Sequence, residues 1–561
     1  IWPDWKIMGV MKGQKILLWG LVLLFAVLMS VPFLVPHCGF FALFGIVPLL
    51  CMERVATLSG VRRVWVYHYS AFVLWNAFTT FWVCNATVGG GIFAVLANSL
   101  QMSVIFGLFR LSRKRFSGVL PYVFLMVAWI SWERAYFDAD ISWPWLVLGN
   151  SFARSIGTVQ WYEFTGTLGG SLWIWMCNLS IFGIMAALSD GRWMSFNGKA
   201  KAAAVIGMAL LILAPVVVSR VMYDRYEEKE NPLDVLILQP DIDPYDKFQA
   251  KSQQQQNAIL IDQMKSGLSG RTAVRADSCA CGACSGVSPL LVLAPETFTS
   301  DVVTGEWNSS ATWRCFTSFL KDYPGVNMIF GASSYSLIDS PERPSYTARQ
   351  LRDGRWIESH NSALMVDGTG RTEIFHKSKL VVAVEMTPYP ALFCRIDDML
   401  GGVMGRCVGQ DSISVFHCIA PEGCGGESVT VGCAVCYESV YGEYYTGYIK
   451  AGAEVMTVIT NDSWWGNTPG YRQHLSYASL RAIETRRSIA RCANTGISAL
   501  IDQRGVVHDP TPWWEPAVLS GKVNRNDRIT FFVAHGDIAG RVCTFVLVLL
   551  LAAMLLAFLK R

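Results

Sequence analysis

The sequence predicts a multi-span α-helical membrane domain joined to an α/β domain outside the membrane. Three observations predict it: long uncharged apolar runs, a polar stretch in which short β-rich runs alternate with helical ones, and a lopsided distribution of Lys and Arg among the connections. Of 561 residues, 52% are hydrophobic and 16% charged, against roughly a quarter charged in an ordinary soluble domain. The composition excludes a simple cytosolic globular protein. It also excludes a disordered chain, since 21 Trp and 30 Phe supply ample apolar surface. A net charge of +4 gives no footing for nucleic-acid binding.

Residues 16–52 hold no Asp, Glu, Lys or Arg, about twice the roughly 20 residues a helix needs to cross a bilayer. Two spans follow, broken near Pro32, Pro36, His37 and Gly39. Residues 64–109 are equally free of charge and turn at residues 85–91, giving two more. Runs at 116–132, 164–189, 202–219 and 542–559 bring the expectation to eight. The domains expected are therefore a seven-span membrane domain over 1–220, an extracytoplasmic domain over 221–540, and a closing span over 541–561. The first run is followed at once by others and lacks a small-residue cleavage site, so it reads as a retained helix.

Positive residues stay on the cytoplasmic side of short connections. One set of connections holds fifteen Lys and Arg, among them Lys6, Lys12, Arg62, Arg63, Arg113, Lys114, Arg115, Lys560 and Arg561, while the opposite set holds Arg134 and Arg154. Both termini are then cytoplasmic and the polar domain is exported. Eleven of the sixteen cysteines fall in that domain, where disulfides can persist. Cys394 with Cys407 and Cys418 with Cys424 are plausible bridges. Cys279, Cys281 and Cys284 crowd into CACGAC, but no second ligand pair of suitable spacing accompanies them, so a surface insertion is favoured over a zinc site.

Strand-like runs from Leu233 onward, including LDVLILQP, PLLVLAPET, SVTVGCAVCYES and EVMTVITND, alternate with helical stretches at 247–265 and 471–487. In such α/β layers reactive groups collect where strands end. Glu296 closes one apolar run, Lys377 and Lys379 follow another, and Cys436 sits at a strand-to-helix elbow of the kind that exposes nucleophiles. A carboxylate can take a thiol's proton and an ammonium can stabilise thiolate and oxyanion, which together permit acyl transfer through a thioester. Spacing alone does not choose between Lys377 and Lys379, two residues apart and expected on one face of a strand. Cys433 reads as a small buried hydrophobe.

PET at residues 295–297, K-x-x-L-V at 377–381 and CYE at 436–438 resemble the three signature segments of the nitrilase (carbon–nitrogen hydrolase) superfamily. NDSWWG at 461–466, the pair Gln473 and His474, and ANTG at 493–496 resemble it further along. Seven spans, this domain and a closing span together resemble the apolipoprotein N-acyltransferases, bacterial inner-membrane enzymes. The resemblance implies a nitrilase-like α-β-β-α sandwich, with Glu296 as general base, Lys377 supporting the oxyanion and Cys436 as nucleophile. It prefers Lys377 because a glutamate, Glu385, follows it by eight residues, although the family's Pro-Phe-Gly-Glu is here Val382-Ala383-Val384-Glu385. It also implies that Tyr437 and Glu438 organise the site, and that Phe248 lies at a substrate entrance. Trp464 and Trp465, with Phe298, suit such an entrance too, and Trp145 and Glu163 resemble membrane-domain segments beneath the site.

The implied reaction takes an acyl chain from the sn-1 ester of a phospholipid such as phosphatidylethanolamine and passes it to the α-amine of a diacylglyceryl-cysteine on an apolipoprotein. No metal, nucleotide or other cofactor is called for, and nothing is implied about oligomeric state. Two rivals compete: a membrane-anchored amidase in which water resolves the thioester, and a transporter or sensor whose exported domain only binds ligand. The transporter would ordinarily carry charged or polar groups in its spans, which here are few, mainly His68, Asn76 and Asn178. The orientation is testable by itself. A label at Gly118→Cys should be reached only from the cytoplasm and one at Ser309→Cys only from outside, and the reverse pattern in intact and inverted vesicles would refute it.

Overall fold

The computed structural model describes residues 4–243, 251–269, 289–399, 401–402, 404–420 and 427–559. Phe248, Cys279, Cys281, Cys284, Cys424, Lys560 and Arg561 lie outside the described residues. The chain forms two compact units, one comprising residues up to Ala139, Trp143–Tyr226 and from His535 on, the other Asp140–Ser142 and Glu227–Ala534.

The first unit is helical. Among the described residues, six helices are long and apolar enough to cross a membrane: Gly13–Leu34, Gly39–Leu58, Val88–Ser112, Tyr162–Ser189, Gly198–Arg225 and Ile538–Leu556. Two further helices, Val64–Thr80 and Leu120–Tyr136, have 17 residues each and occupy the third and fifth apolar runs. Several polar residues within these helices join one helix to another. Asn178 Oδ1 accepts from the backbone N–H of Ile46 (2.8 Å) and Val47 (3.2 Å), while its Nδ2 donates to Ala42 O at 2.8 Å. These are backbone groups freed where the short helix Ala42–Gly45 gives way to Val47–Leu58. His68 Nδ1 pairs with Ser103 Oγ at 2.8 Å, and Asn98 Nδ2 donates to Asn76 Oδ1 at 2.7 Å. Hydrogen bonds of this kind hold helices together where apolar lipid gives no hydrophobic drive.

The second unit is a four-layer sandwich. One sheet runs β14-β1-β2-β4-β6-β5, built from Ala517–Asn524 (β14), Pro232–Gln239 (β1), Leu290–Leu293 (β2), Val326–Ile338 (β4), Trp356–Asp367 (β6) and Arg349–Gln350 (β5). Thr299–Val303 (β3) pairs with β4, and Thr372–His376 (β7) with β6. The other runs β13-β12-β11-β10-β9-β8, from Val507–His508 (β13), Ala499–Ile501 (β12), Ile489–Ala493 (β11), Val455–Thr460 (β10), Val429–Val435 (β9) and Phe416–Cys418 (β8). The centre of each sheet, β1-β2-β4 and β9-β10-β11, is parallel.

Period-2 alternation sorts the apolar residues into two cores. Leu233, Val235, Ile237, Leu291 and Leu293 face the second sheet, whereas Leu236, Leu238, Leu290 and Val292 face the helices Gln253–Leu268 and Ala311–Leu320. Strands covered on both faces read as nearly continuous apolar runs, which is how LDVLILQ reads. Gly442–Lys450 and Pro469–Thr485 pack their Tyr445, Tyr448, Ala478 and Ala482 on the second sheet. The order helix, sheet, sheet, helix is the one the sequence predicted.

The expected disulfides are not formed, since Cys394, Cys407 and Cys418 are free thiols. Cys394 faces inward from the helix Pro390–Met399 and Cys418 lies in the core between the sheets, so sequence proximity gave a false lead: these sulfurs are small buried apolar groups. Cys433 is likewise buried in that core, and burial pushes its thiol up to about 12.

One close approach fixes the start of the active-site loop. A Cβ on Gly331 would lie 2.5 Å from Glu296 Cα and Thr297 N, and Gly331 exchanges backbone hydrogen bonds with Pro295 O (3.1 Å) and Phe298 N (2.8 Å). Gly331→Ala should cost about 1–3 kcal/mol by overpacking and displace Glu296. A lowered Tm together with slowed Cys436 chemistry would bear this out, and a variant with wild-type Tm would refute it.

Candidate active site

Glu296, Lys377 and Cys436 come from three separate turns and meet in one buried place. Glu296 follows β2 in the turn Pro295-Glu296-Thr297, where Thr297 has φ of 46°. Lys377 leaves the end of β7, its N–H still bonded to Asn361 O at 2.8 Å. Cys436 follows β9 and opens a short 3-10 turn, with φ of 51°. A left-handed backbone costs a residue with a Cβ roughly 1–2 kcal/mol, so the elbow is held by its surroundings. The three are 6%, 1% and 8% exposed, which excludes bulk water from any charge that forms among them.

Lys377 Nζ donates to Glu296 Oε1 and to Glu385 Oε1, each at 3.0 Å. Burial opposes its charge, but Glu296 and Glu385 hold the ammonium well above the ordinary lysine range. Asn361 Nδ2 bridges the same two carboxylates at 2.8 and 2.6 Å, Asn461 N–H donates to Glu296 Oε2 at 3.1 Å, and Val381 N–H donates to Glu385 Oε2 at 2.7 Å. Burial, then the charge of Glu296, push the Cys436 thiol well above the usual range, with Lys377 opposing. At rest the site therefore holds a protonated thiol beside the Lys377 ammonium.

Glu438 joins two of the turns. Its Oε1 accepts from Ser378 N (2.7 Å), Lys379 N (3.3 Å) and Tyr444 OH (2.9 Å), and its Oε2 from Val435 N (2.8 Å) and Tyr448 OH (3.1 Å). One carboxylate thereby ties the lysine turn to the cysteine elbow. Tyr437 donates from its hydroxyl to Ser142 O at 3.1 Å and packs edge-on against Tyr441. The two lysines, expected on one strand face, part company because β7 ends at His376 and alternation ends with it. Lys379 lies over the rings of Tyr441 and Tyr444, at 5.2 and 5.7 Å from their centroids.

The remaining sequence candidates fall elsewhere. Trp464 is 38% exposed and Trp465 packs edge-on against His474. Trp145 is fully buried in the first unit against Trp82 and Trp143, and Glu163 is buried in that unit as well. Phe298 is 2% exposed and packs against Phe316 under the helical layer, so it is a core residue and not an entrance. Sequence reasoning missed Asn361, which lies in the polar run ESHNS of β6 and carries no signal of its own, and it assigned no role to Asp462, His474 and Arg491.

Those three lie directly behind Cys436. Arg491 Nη2 donates to Asp462 Oδ2 at 2.7 Å, and His474 Nδ1 lies 2.9 Å from Asp462 Oδ1. Burial works against the Asp462 charge, but Arg491 and His474 hold its carboxyl well below the usual carboxylate range. Cys436, Asp462 and His474 offer ligand atoms within 4.8 Å of one another. The Arg491 guanidinium already neutralises the carboxylate there, so the set does not have the charge a cation needs.

Two family profiles match the chain in order. The Apolipoprotein N-acyltransferase N-terminal domain matches residues 25–180 and Carbon-nitrogen hydrolase matches 339–530. An apolipoprotein N-acyltransferase of Chlorobaculum tepidum is 28% identical over 521 residues, covering 90% of each chain. The chain belongs to the apolipoprotein N-acyltransferase family. A second member, from Geobacter metallireducens, is 25% identical over 490 residues, covering 85% of this chain and 82% of its own. Among solved structures, Saccharomyces cerevisiae Nit3, a member of branch 10 of the nitrilase superfamily, is similar with a TM-score of 0.34 at 12% identity, over 52% of this chain and 90% of its own.

The geometry separates the two lysines experimentally. Lys377→Ala leaves two carboxylates facing one another without their cation, and loss of a single oxyanion donor typically costs about 2.7–4 kcal/mol, so acylation of Cys436 should fall by at least about a hundredfold. Lys379→Ala removes a cation–π contact of about 0.5–1 kcal/mol and should be mild. Single-turnover rates decide it, and a severe Lys379 defect beside an active Lys377 variant would reverse the assignment. Glu296→Gln should also move the pH profile of Cys436 alkylation to lower pH, because the charge that raises the thiol is gone.

Proposed function

We propose that this chain moves an acyl chain from a membrane phospholipid, through a thioester on Cys436, to the α-amine of the N-terminal diacylglyceryl-cysteine of apolipoproteins. The observation that carries the reading is the buried Lys377 ammonium shared by Glu296 and Glu385 beside a protonated thiol. Glu296 takes the thiol proton as sulfur attacks the sn-1 ester carbonyl of a phospholipid such as phosphatidylethanolamine. The negative charge moves to the carbonyl oxygen, where Lys377 meets it. Collapse forms the thioester and breaks the ester C–O bond, and the proton held by Glu296 goes to the departing lysophospholipid oxygen.

In the second half the acceptor amine attacks the thioester carbon. Glu296 takes a proton from the amine, Lys377 again meets the oxyanion, and the thiolate leaves with the amide formed and recovers the proton held by Glu296. Glu385 holds Lys377 and Asn361 in place throughout, and Tyr437 and Glu438 keep the elbow rigid. A cysteine suits both halves, because a thioester is more reactive toward an amine than the ester it came from. Trp464, Trp465, Trp145 and Phe248 remain the residues proposed for substrate entrance.

The protein is a multi-pass inner-membrane protein. The fifteen-to-two distribution of Lys and Arg supports a periplasmic catalytic unit with both termini in the cytoplasm.

Purified full-length chain incubated with labelled phosphatidylethanolamine should acquire label on Cys436 and keep it until a synthetic diacylated lipopeptide is added. Cys436→Ala should acquire none and Cys433→Ala should retain most of it. Equal loss in both variants, with Tm intact, would mean the wrong sulfur was chosen. Release of free fatty acid at an unchanged rate with or without lipopeptide would replace the transferase with a hydrolase.

A further inference from the structure

Cys436 must present its sulfur from a left-handed turn, and its carbonyl oxygen is the atom through which that turn is gripped. Two donors converge on it: Ser439 Oγ at 2.7 Å and His474 Nε2 at 3.0 Å. A carbonyl oxygen can only accept, so the His474 contact calls for a hydrogen on Nε2, which also lies 3.0 Å from Ser439 Oγ. His474 comes from the helix Pro469–Thr485, thirty-eight positions along the chain, and it is 1% exposed. Its other nitrogen, Nδ1, lies 2.9 Å from Asp462 Oδ1 and 3.2 Å from Arg491 Nη2. Asp462 is itself fixed by Thr460 Oγ1 at 2.8 Å and by Arg491. The ring is pinned edge-on by Trp465, with centroids 5.5 Å apart.

We propose that His474 is a positioning residue for the nucleophile, holding Cys436 in its left-handed turn by donating from Nε2 to the Cys436 carbonyl while Asp462 fixes the ring from behind. Gly496 belongs to the same device, because a Cβ there would meet Asp462 Oδ2 at 2.8 Å and push the carboxylate off the imidazole. The residues NDSWWG, QH and ANTG, far apart in sequence, thereby contribute Asp462, His474 and Gly496 to one assembly. His474 does not touch the reacting atoms in this arrangement. It acts on them through the backbone that carries the sulfur, and a misplacement of about 1 Å at a reacting centre costs on the order of a hundredfold.

Three variants separate this role from packing. The amide nitrogen of Gln reaches where Nε2 stands and that of Asn reaches where Nδ1 stands, so His474→Gln keeps the grip on the carbonyl and His474→Asn keeps only the contact with Asp462. The proposal rests on acyl transfer for one readout and not for the other. Alkylation of Cys436 by iodoacetamide, followed by mass spectrometry on the full-length chain, requires no lipid, and labelled phosphatidylethanolamine reports thioester formation. His474→Ala and His474→Asn should slow both by at least about tenfold, with the loss in kcat and KM little changed, while His474→Gln should recover to within about threefold of the parent. Equal rates in all three, fast or slow, or recovery by Asn in place of Gln, would overturn the proposal. If the parent chain takes no label from phospholipid but the alkylation order Gln above Asn and Ala holds, the positioning role stands and the acyl-transfer reading falls.

Discussion

Everything near the nucleophile depends on a single buried cation. Lys377 is almost wholly enclosed, and a lone ammonium in such a place would shed its proton. Glu296 and Glu385 prevent that, each 3.0 Å away. The arrangement commits both carboxylates as well, since removing either partner of a buried pair leaves an uncompensated charge. The turns around them are consequently over-determined by hydrogen bonds: Asn361 bridges the carboxylates, Asn461 and Val381 donate from the backbone, and Gly331 leaves room for Glu296 to approach. The sandwich supplies the rigidity to hold these groups, because the C-terminal ends of the parallel strands β2 and β9 deliver Glu296 and Cys436 and the end of β7, antiparallel to β6, delivers Lys377.

Much of this was legible in the sequence and the reasons are physical. The apolar runs LDVLIL and LLVL declared strands covered on both faces, and the uncharged segments declared spans, because burial leaves a compositional trace. Glu296 and Cys436 stood out because each follows a strand-like run at a turn, whereas Lys377 was set apart from Lys379 only by the family resemblance. What escaped notice depends on contacts made at long range. Asn361 looks like any polar residue in a strand until β6 is seen to pair with β7 beside Lys377. Asp462, His474 and Arg491 sit on three elements and share no spacing that marks them as one network. Lys379 was misjudged because period-2 alternation was carried three residues past the end of the strand at His376. The cysteine pairs were misjudged because spacing says nothing about whether a sulfur faces the core.

The polar groups in the membrane unit bear on function by what they do not leave over. His68, Asn76 and Asn178 each have partners within the helical unit, to Ser103, Asn98 and the backbone near Ile46. Side chains spent in this way serve as adhesive between helices, and they are poor candidates for a conduction path. In the other unit a thiol, a carboxylate and an ammonium have been brought out of water together.

Asn178 also sets an order of assembly. The amides of Ile46 and Val47 are left open where the second span breaks, and the side chain that receives them lies 132 and 131 residues further along the chain. In hydrocarbon an open amide has no water to turn to, so the early spans enter the bilayer with a defect that only a later helix repairs. The helix Tyr162–Ser189 is thus the piece that completes the second span during synthesis, and a chain interrupted before residue 178 would carry an incompletely satisfied second span into quality control.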